Sequence, residues 1–157
     1  MRLAERMTTL YDAIGGGEAV LAVAHAWHER VLADPVVSHA FSHGFRDDHT
    51  ERLAAYWAEV LGGPATYSKT MGDEALVVRL HTGNGPHDEM DRRAVDCFAD
   101  ALRDVGVPDA HHEVLVGWFR DANQYVNHQF ASPDVVPEGL SMPVVGGSLD
   151  GTADQNS

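Results

Sequence analysis

The strongest constraint on this chain is a series of segments in which apolar residues recur at spacings of three and four. This is the pattern of an α-helix with one buried face. One segment spans residues 18–31 and is closed by Asp34-Pro35, and a second spans 48–61 and is closed by residues 62–64, Gly-Gly-Pro. Glycine and proline end helices. Since no segment shows the alternation of a strand, the sequence predicts an all-α fold.

The same pattern predicts further helices on either side of these two. A long one over 90–105 ends at Gly106, another follows from 109 to 126, and a short one at 10–14 precedes three glycines. Spacing also predicts the helix caps: Asp48 and Glu51 are placed as a capping box, and Asp109 is placed to cap the last helix.

His81 closes a short apolar run, residues 74–81, and is followed at once by Thr-Gly-Asn-Gly-Pro. A helix that reaches His81 must end there, because the glycines are costly in a helix and Pro86 prevents its continuation. An imidazole is therefore held at a helix end. Taken alone, it is explained as a cap that favours the negative end of the helix dipole.

Length and charge limit the classes of function. A chain of 157 residues with 44% hydrophobic residues forms one domain with a proper core. The formal net charge of −13 argues against binding to nucleic acid or an anionic membrane surface. No stretch approaches the about 18 apolar residues of a membrane span, and the start has no apolar signal core. We therefore expect a cytoplasmic protein whose partners are small. The single cysteine, Cys97, stands on a helical pattern of apolar residues, so we expect its thiol to be buried.

Composition changes after residue 130. Residues 131–157 hold three prolines and four glycines, with four acidic residues and no basic one. This predicts a globular domain over 1–130 and a tail over 131–157. We expect the tail to lie partly on the surface near Val135 and Leu140 and to be disordered toward Ser157.

Ten histidines are present, and most are explained as solvated surface residues, which we expect of His87, His111, His112 and His128. His28 and His49 instead stand on or beside the inward stripes of their helices, where an imidazole needs a partner. Together with His81 they suggest that three helices surround one shared polar ligand or metal at the centre of the fold. Three histidines suit a catalytic zinc, but no local zinc motif supports it. Haem, which needs one axial ligand and apolar walls, is the better candidate.

Five landmarks occur in order: Leu10–Gly16, Arg30–Pro35, Leu61–Pro64, Tyr67-Ser68 and Arg79–His81. At these spacings the chain resembles the truncated haemoglobins over about residues 9–130, and residues 67–98 resemble their group II branch of actinobacteria. The resemblance implies a single-domain, two-over-two helical globin fold that binds haem b.

The resemblance assigns residues to the haem pocket. His81 becomes the proximal iron ligand. Distal residues are His28, where a tyrosine is usual, His49 and Leu53 one turn apart above the iron, and Trp57 at the ligand tunnel. The resemblance also implies haem contacts from Phe41, which packs on the ring, and from Tyr67, Val77 and Ala94. Ala94 stands where group II members commonly have tryptophan.

The resemblance also bears on the haem propionates. Leu80 stands where a basic residue often precedes the proximal histidine, so one expected propionate contact is missing. Arg52, next to His49 and Leu53, is the preferred propionate partner, and Arg79 is the second choice.

Three functions stay open. The first is reversible binding of O2, CO, NO or a similar ligand by a monomer or homodimer. The second is a redox enzyme acting on peroxide or nitric oxide, with His28 and His49 as catalytic residues and an electron-donating reductase as a possible partner. The third is a haem-free helical interaction module. An irregular loop at residues 42–45 would bring His43 or Phe45 into the pocket instead.

Overall fold

The computed structural model describes residues 9–85 and 87–145, and all regular structure in these ranges is helical. The α-helices are α1 (Leu10–Ile14), α2 (Gly16–Ala33), α3 (His49–Val60), α4 (Thr66–Thr70), α5 (Glu74–His81), α6 (Asp88–Val105) and α7 (His112–His128). Short 3-10 turns cover Val37–Phe41, Asp109–His111 and Pro133–Val135. In the described ranges no helix is long and apolar enough to cross a membrane.

Four long helices form the core of the fold. Helix α2 packs against both α3 and α6, α6 packs against α7, and α7 in turn contacts α5. Aromatic side chains fill the centre: the Trp57 ring lies 5.5 Å from Phe98 and 5.8 Å from Phe119, and the last two rings stack at 4.4 Å. Cys97 is buried in this core, as predicted.

Several helix starts differ from the prediction. Helix α2 begins at Gly16 rather than Glu18, because Gly15, with φ 119°, both ends α1 and starts α2. The capping box of Asp48 with Glu51 is wrong: Asp48 makes no side-chain cap and binds Arg46 at 2.7 Å. The prediction for Asp109 is also wrong, because a 3-10 turn intervenes and α7 begins at His112.

Helix α5 runs from Glu74 to His81, as predicted. It starts where the Asp73 side chain accepts a hydrogen bond from the Leu76 amide at 2.9 Å. It ends as the chain becomes extended at Thr82, whose hydroxyl donates to the Val78 carbonyl at 2.6 Å. Pro86, which we expected to enforce this end, lies outside the described residues.

The first part of the tail packs on the helices. Val136 is buried and Leu140 packs on the same hydrophobic cluster as Val77, whereas Val135 is 57% exposed. The Val145 amide donates to the Val60 carbonyl at 2.8 Å. The predicted surface contact therefore involves Val136 instead of Val135. The disorder predicted toward Ser157 concerns residues 146–157, which lie outside the described part of the chain.

Candidate functional site

A cavity of about 420 Å³ lies among α2, α3, α5 and α7. Eight residues singled out from the sequence line it: Phe41, His49, Arg52, Leu53, Trp57, Tyr67, Val77 and His81. They are brought together from α3, α4, α5 and the 3-10 turn before α3.

Ten more residues line the cavity and were not assigned to it from the sequence: Trp27, Arg46, Tyr56, Leu76, Leu80, Trp118, Phe119, Ala122, Asn123 and Val126. Trp118, Phe119, Ala122 and Val126 do stand on the apolar stripe of α7, so a signal for their burial exists. Periodicity marks that face as inward, but it does not distinguish a core contact from a cavity wall.

His81 presents one ring nitrogen with a free lone pair. Its Nδ1 lies 2.7 Å from the Val77 carbonyl oxygen, four residues back on α5. A carbonyl only accepts hydrogen bonds, so Nδ1 carries the proton and Nε2 is left unprotonated in the neutral ring. Loss of hydration lowers the pKa of His81, which favours this neutral form. His81 borders the cavity, although the residue as a whole is exposed at the end of α5.

His28 is buried behind the opposite wall and does not line the cavity. Its Nδ1 lies 3.3 Å from the Thr50 hydroxyl, a group that can donate or accept, and its buried Nε2 has no hydrogen-bond partner. Burial, and secondarily His25, lowers the pKa of His28. The ring is therefore neutral near pH 7.

His49 lines the cavity directly, and its ring lies 4.9 Å from that of His28. Its Nε2 is likewise buried with no partner. Burial is the main cause that lowers the pKa of His49, and His28 and His81 add to it. Two neutral imidazoles with unpartnered nitrogens thus adjoin the same wall.

The loop before α3 adds an aromatic residue to this wall. The Phe45 ring lies 4.7 Å from the ring of His28 and 5.7 Å from that of His49, although Phe45 is about half exposed. Phe41 also contacts both imidazoles. Phe45 and Phe41 therefore both contact His28 and His49, whereas His43 of the same loop is exposed.

The arginines differ in their positions. Arg52 lines the cavity, donates to the Met71 carbonyl at 3.0 Å, and lies 5.9 Å above the Tyr67 ring. Arg79 does not line it and instead binds the Val136 carbonyl and Glu138 in the tail. Arg46, not assigned from the sequence, also lines the cavity. Positive charge at the cavity therefore comes mainly from Arg52, because the Arg46 guanidinium is paired with Asp48.

Ala94 is buried but does not line the cavity. Its carbonyl accepts a hydrogen bond from Trp27 Nε1 at 3.1 Å, and the Trp27 indole lines the cavity in its place. Three tryptophans border the cavity, Trp27 from α2, Trp57 from α3 and Trp118 from α7, and none comes from α6.

The three inward histidines do not form a metal cluster by themselves. In the two ranges that the structure describes, the only group of three metal-ligating side chains is His87, Asp91 and His128, which lies outside the cavity. A three-histidine zinc site built from His28, His49 and His81 is therefore absent from the described residues. What remains is an apolar cavity with a free nitrogen lone pair on His81 and the buried, unpartnered Nε2 atom of His49 in its wall.

Comparisons with known proteins agree with this architecture. A family model described as bacterial-like globin matches residues 9–128. A group 1 truncated haemoglobin, GlbN of Synechocystis, is 32% identical over 105 residues, which cover 66% of this chain and 82% of that protein.

Two solved structures give the same result. The thermostable haemoglobin of the actinobacterium Thermobifida fusca has a TM-score of 0.63 at 27% identity, covering 76% of this chain and 96% of that one. The group II truncated haemoglobin of Bacillus anthracis has a TM-score of 0.64 at 18% identity, covering 77% and 92%, and shows the fold alone. With the family model matching most of its length, this chain belongs to the bacterial-like globin family.

Proposed function

We propose that this chain holds haem b through His81 and binds O2 or another small diatomic ligand on the side of His28 and His49. Haem-based binding of small ligands is the general function of the family to which the chain belongs. The group II branch, the distal residues and the ligand are the finer parts of the proposal. The observation that carries it is the 2.7 Å contact between His81 Nδ1 and the Val77 carbonyl oxygen, which assigns the proton to Nδ1 and leaves Nε2 free as an iron ligand.

The residues around the cavity fit haem. Trp27, Trp57 and Phe119 supply apolar walls for a flat macrocycle, and Arg52 supplies positive charge for its propionates. The Val77 carbonyl would hold the His81 ring in one orientation and raise its basicity as a ligand. The unpartnered Nε2 atom of His49 is a buried polar group in the cavity wall that a bound ligand would satisfy.

Haem, when bound, supplies an iron atom with a coordination position for a diatomic ligand. The chain would act on that ligand through His49, which lines the cavity and can donate one hydrogen bond in its neutral form. His28 supports His49 from behind and is itself held by Thr50. A hydrogen bond to a ligand with partial negative charge adds about 1.5–3 kcal/mol, which slows its loss about 10- to 100-fold.

A redox enzyme is the second candidate, and the paired imidazoles favour it. Burial lowers the pKa of His49, so this cavity-lining ring is unprotonated near pH 7 and can accept a proton from a substrate, with the His28 ring beside it. This activity on peroxide or nitric oxide would need an electron-donating reductase. It predicts turnover that falls when His28 or His49 is replaced by Phe, whereas simple ligand binding predicts altered off-rates without turnover.

The first experiment compares absorbance spectra of haem-loaded wild type and His81→Gly in the ferric, ferrous and CO-bound forms. We expect the variant to lose the normal ferrous-CO spectrum and to regain it with added imidazole, which replaces the missing ligand. His43→Gly is the matched control, because His43 is exposed and does not line the cavity.

The outcomes separate the alternatives. Unchanged spectra in His81→Gly would show that the chain binds haem but that His81 is not the iron ligand. A wild-type chain that binds no haem and shows no Soret absorbance would instead support the haem-free interaction module.

A further inference from the structure

Two histidines and an aspartate converge outside the cavity, where the first turn of α6 meets the last turn of α7. His87 Nδ1 donates to Asp91 Oδ1 at 2.8 Å, and His128 Nε2 donates to Asp91 Oδ2 at 2.8 Å. One potential ligand atom from each residue lies within 4.8 Å of the other two. The three side chains are only 17%, 17% and 24% exposed, in the order His87, Asp91, His128. We expected both histidines to be solvated surface residues, whereas both are largely buried and bonded to Asp91.

This donor set matches a divalent transition metal. Zinc takes imidazole nitrogen and carboxylate oxygen at about 2.0–2.2 Å, commonly with three protein ligands and one water. Small side-chain rotations bring three atoms now within 4.8 Å of one another to such distances. The partial exposure of the cluster leaves a side open for the water and for entry of the ion.

The surroundings of the cluster favour a cation. Without a metal, two imidazoles share a single carboxylate, and their ring centres lie 5.0 Å apart. Two positive charges on these rings would repel each other at this distance. A divalent ion replaces both hydrogen-bonding protons with one central charge. The formal net charge of −13 draws cations to the chain.

Asn123 supports the carboxylate from α7. Its Nδ2 lies 3.4 Å from Asp91 Oδ1, and the same residue lines the cavity. Groups that hydrogen-bond to a metal ligand orient it and strengthen binding. Asn123 therefore connects the cluster to the wall of the cavity.

We propose that His87, Asp91 and His128 form a binding site for a divalent transition-metal ion of the zinc type. The site joins the start of α6 to the end of α7 and is separate from the iron ligand. Because binding requires the folded arrangement of both helices, the metal stabilises the folded chain.

The test is titration of the haem-loaded full chain with Zn²⁺ by calorimetry, with bound metal counted after desalting. We expect one zinc per chain and a melting temperature about 5–10 °C higher at 100 times the dissociation constant. His128→Gln and Asp91→Asn each remove a ligand at nearly constant volume and should weaken zinc binding at least about 100-fold. His87→Gln provides a third variant if either of these does not fold.

Two controls locate the zinc. His25→Gln alters an exposed histidine away from the cluster, and His49→Gln alters the cavity, so both should bind zinc as wild type does. Absence of zinc binding in the wild type overturns the proposal, as does binding that survives all three cluster substitutions. Zinc binding lost in His49→Gln would assign the ion to the cavity and likewise overturn it. None of these readouts depends on which gas the haem binds.

Discussion

Glu74 is a buried acid in the first turn of α5, only 1% exposed. Its Oε1 accepts a hydrogen bond from the Tyr56 hydroxyl at 2.7 Å, while Oε2 has no partner. Burial raises the pKa of Glu74 to about 7, and the Tyr56 hydrogen bond only partly opposes this. The carboxyl is therefore half protonated near neutral pH, beside the cavity wall that Tyr56 forms.

This pKa makes stability depend on pH in a predictable direction. Between about pH 4.5 and 7 the unfolded chain has lost the Glu74 proton while the folded chain retains it, so the contribution of Glu74 to stability falls as pH rises. Glu74→Gln keeps an acceptor for Tyr56 and carries no charge. We expect equal stability of the two chains near pH 4.5 and about 3 kcal/mol in favour of the variant at pH 8.

Urea unfolding of wild type and Glu74→Gln at a series of pH values measures this difference. Subtracting the two curves removes the contributions of the histidines, which titrate in both chains. A stability difference that stays constant with pH would show that the pKa of Glu74 is the same in the folded and the unfolded chain.

His49 carries the second prediction at the scale of a residue. His49→Leu removes the one distal imidazole that lines the cavity and keeps an apolar side chain there. We expect O2 to leave the ferrous protein about 10- to 100-fold faster, because its hydrogen-bond donor is lost. Flash photolysis or stopped-flow displacement measures the rate, with the exposed His43→Leu as control. An unchanged off-rate would exclude His49 as the donor.

Among the helices, α5 determines the position of His81, and its start depends on one cap. The Asp73 side chain accepts from the Leu76 amide, whereas Asp48, at the equivalent position before α3, makes no such bond. The two aspartates occupy the same helix position and both are exposed, but only one caps. They form a natural matched pair.

We expect Asp73→Ala to destabilise the chain by about 1 kcal/mol through loss of the cap. Asp48→Ala removes only an exposed ion pair with Arg46 and should cost less than about 0.5 kcal/mol. Because α5 carries His81, Asp73→Ala should also speed haem transfer to an acceptor such as apomyoglobin. Equal effects of the two substitutions on unfolding would contradict the assignment of the cap.

On the scale of the whole molecule, the described part of the tail packs on the helical core. Val136 is buried in the cluster that contains Tyr67 and Val77, and Arg79 donates to the Val136 carbonyl at 3.1 Å. The start of the tail therefore packs on α5, and Val145 reaches the end of α3. The boundary that we predicted at residue 130 marks a change in amino-acid composition, but the chain beyond it still packs on the helices.

Adjacent valines test this contribution of the tail. Val136→Ala removes two buried methyl groups and should cost about 2 kcal/mol of unfolding free energy. Val135→Ala makes the same change at an exposed site and should stay within about 0.5 kcal/mol of wild type. Thermal unfolding of both variants measures the difference, and a silent Val136→Ala would mean that the tail contributes nothing.

Local patterns in the sequence were sufficient for six of the seven α-helices and for the end of α5 at His81, but they did not predict the short helix α4. Apolar spacing and the Gly and Pro breaks act within a few residues, so they locate helices without knowledge of the partner surface. The inward stripes also identified His28 and His49 as unusual. Capping at Asp48 and Asp109 was mispredicted, because competing contacts of the side chain and the backbone decide whether a cap forms.

The sequence by itself thus determined an all-helical chain with an imidazole at one helix end, and the family through its ordered landmarks. Only the tertiary structure decided that Trp27 occupies the wall beside Ala94, that Arg79 binds the tail, and that His128 meets Asp91. The physical reason is separation along the sequence. Asp91 and His128 are 37 residues apart, and their contact depends on how α6 packs against α7. Periodicity gives the buried face of each helix, whereas the neighbour of a side chain follows from the packing of whole helices.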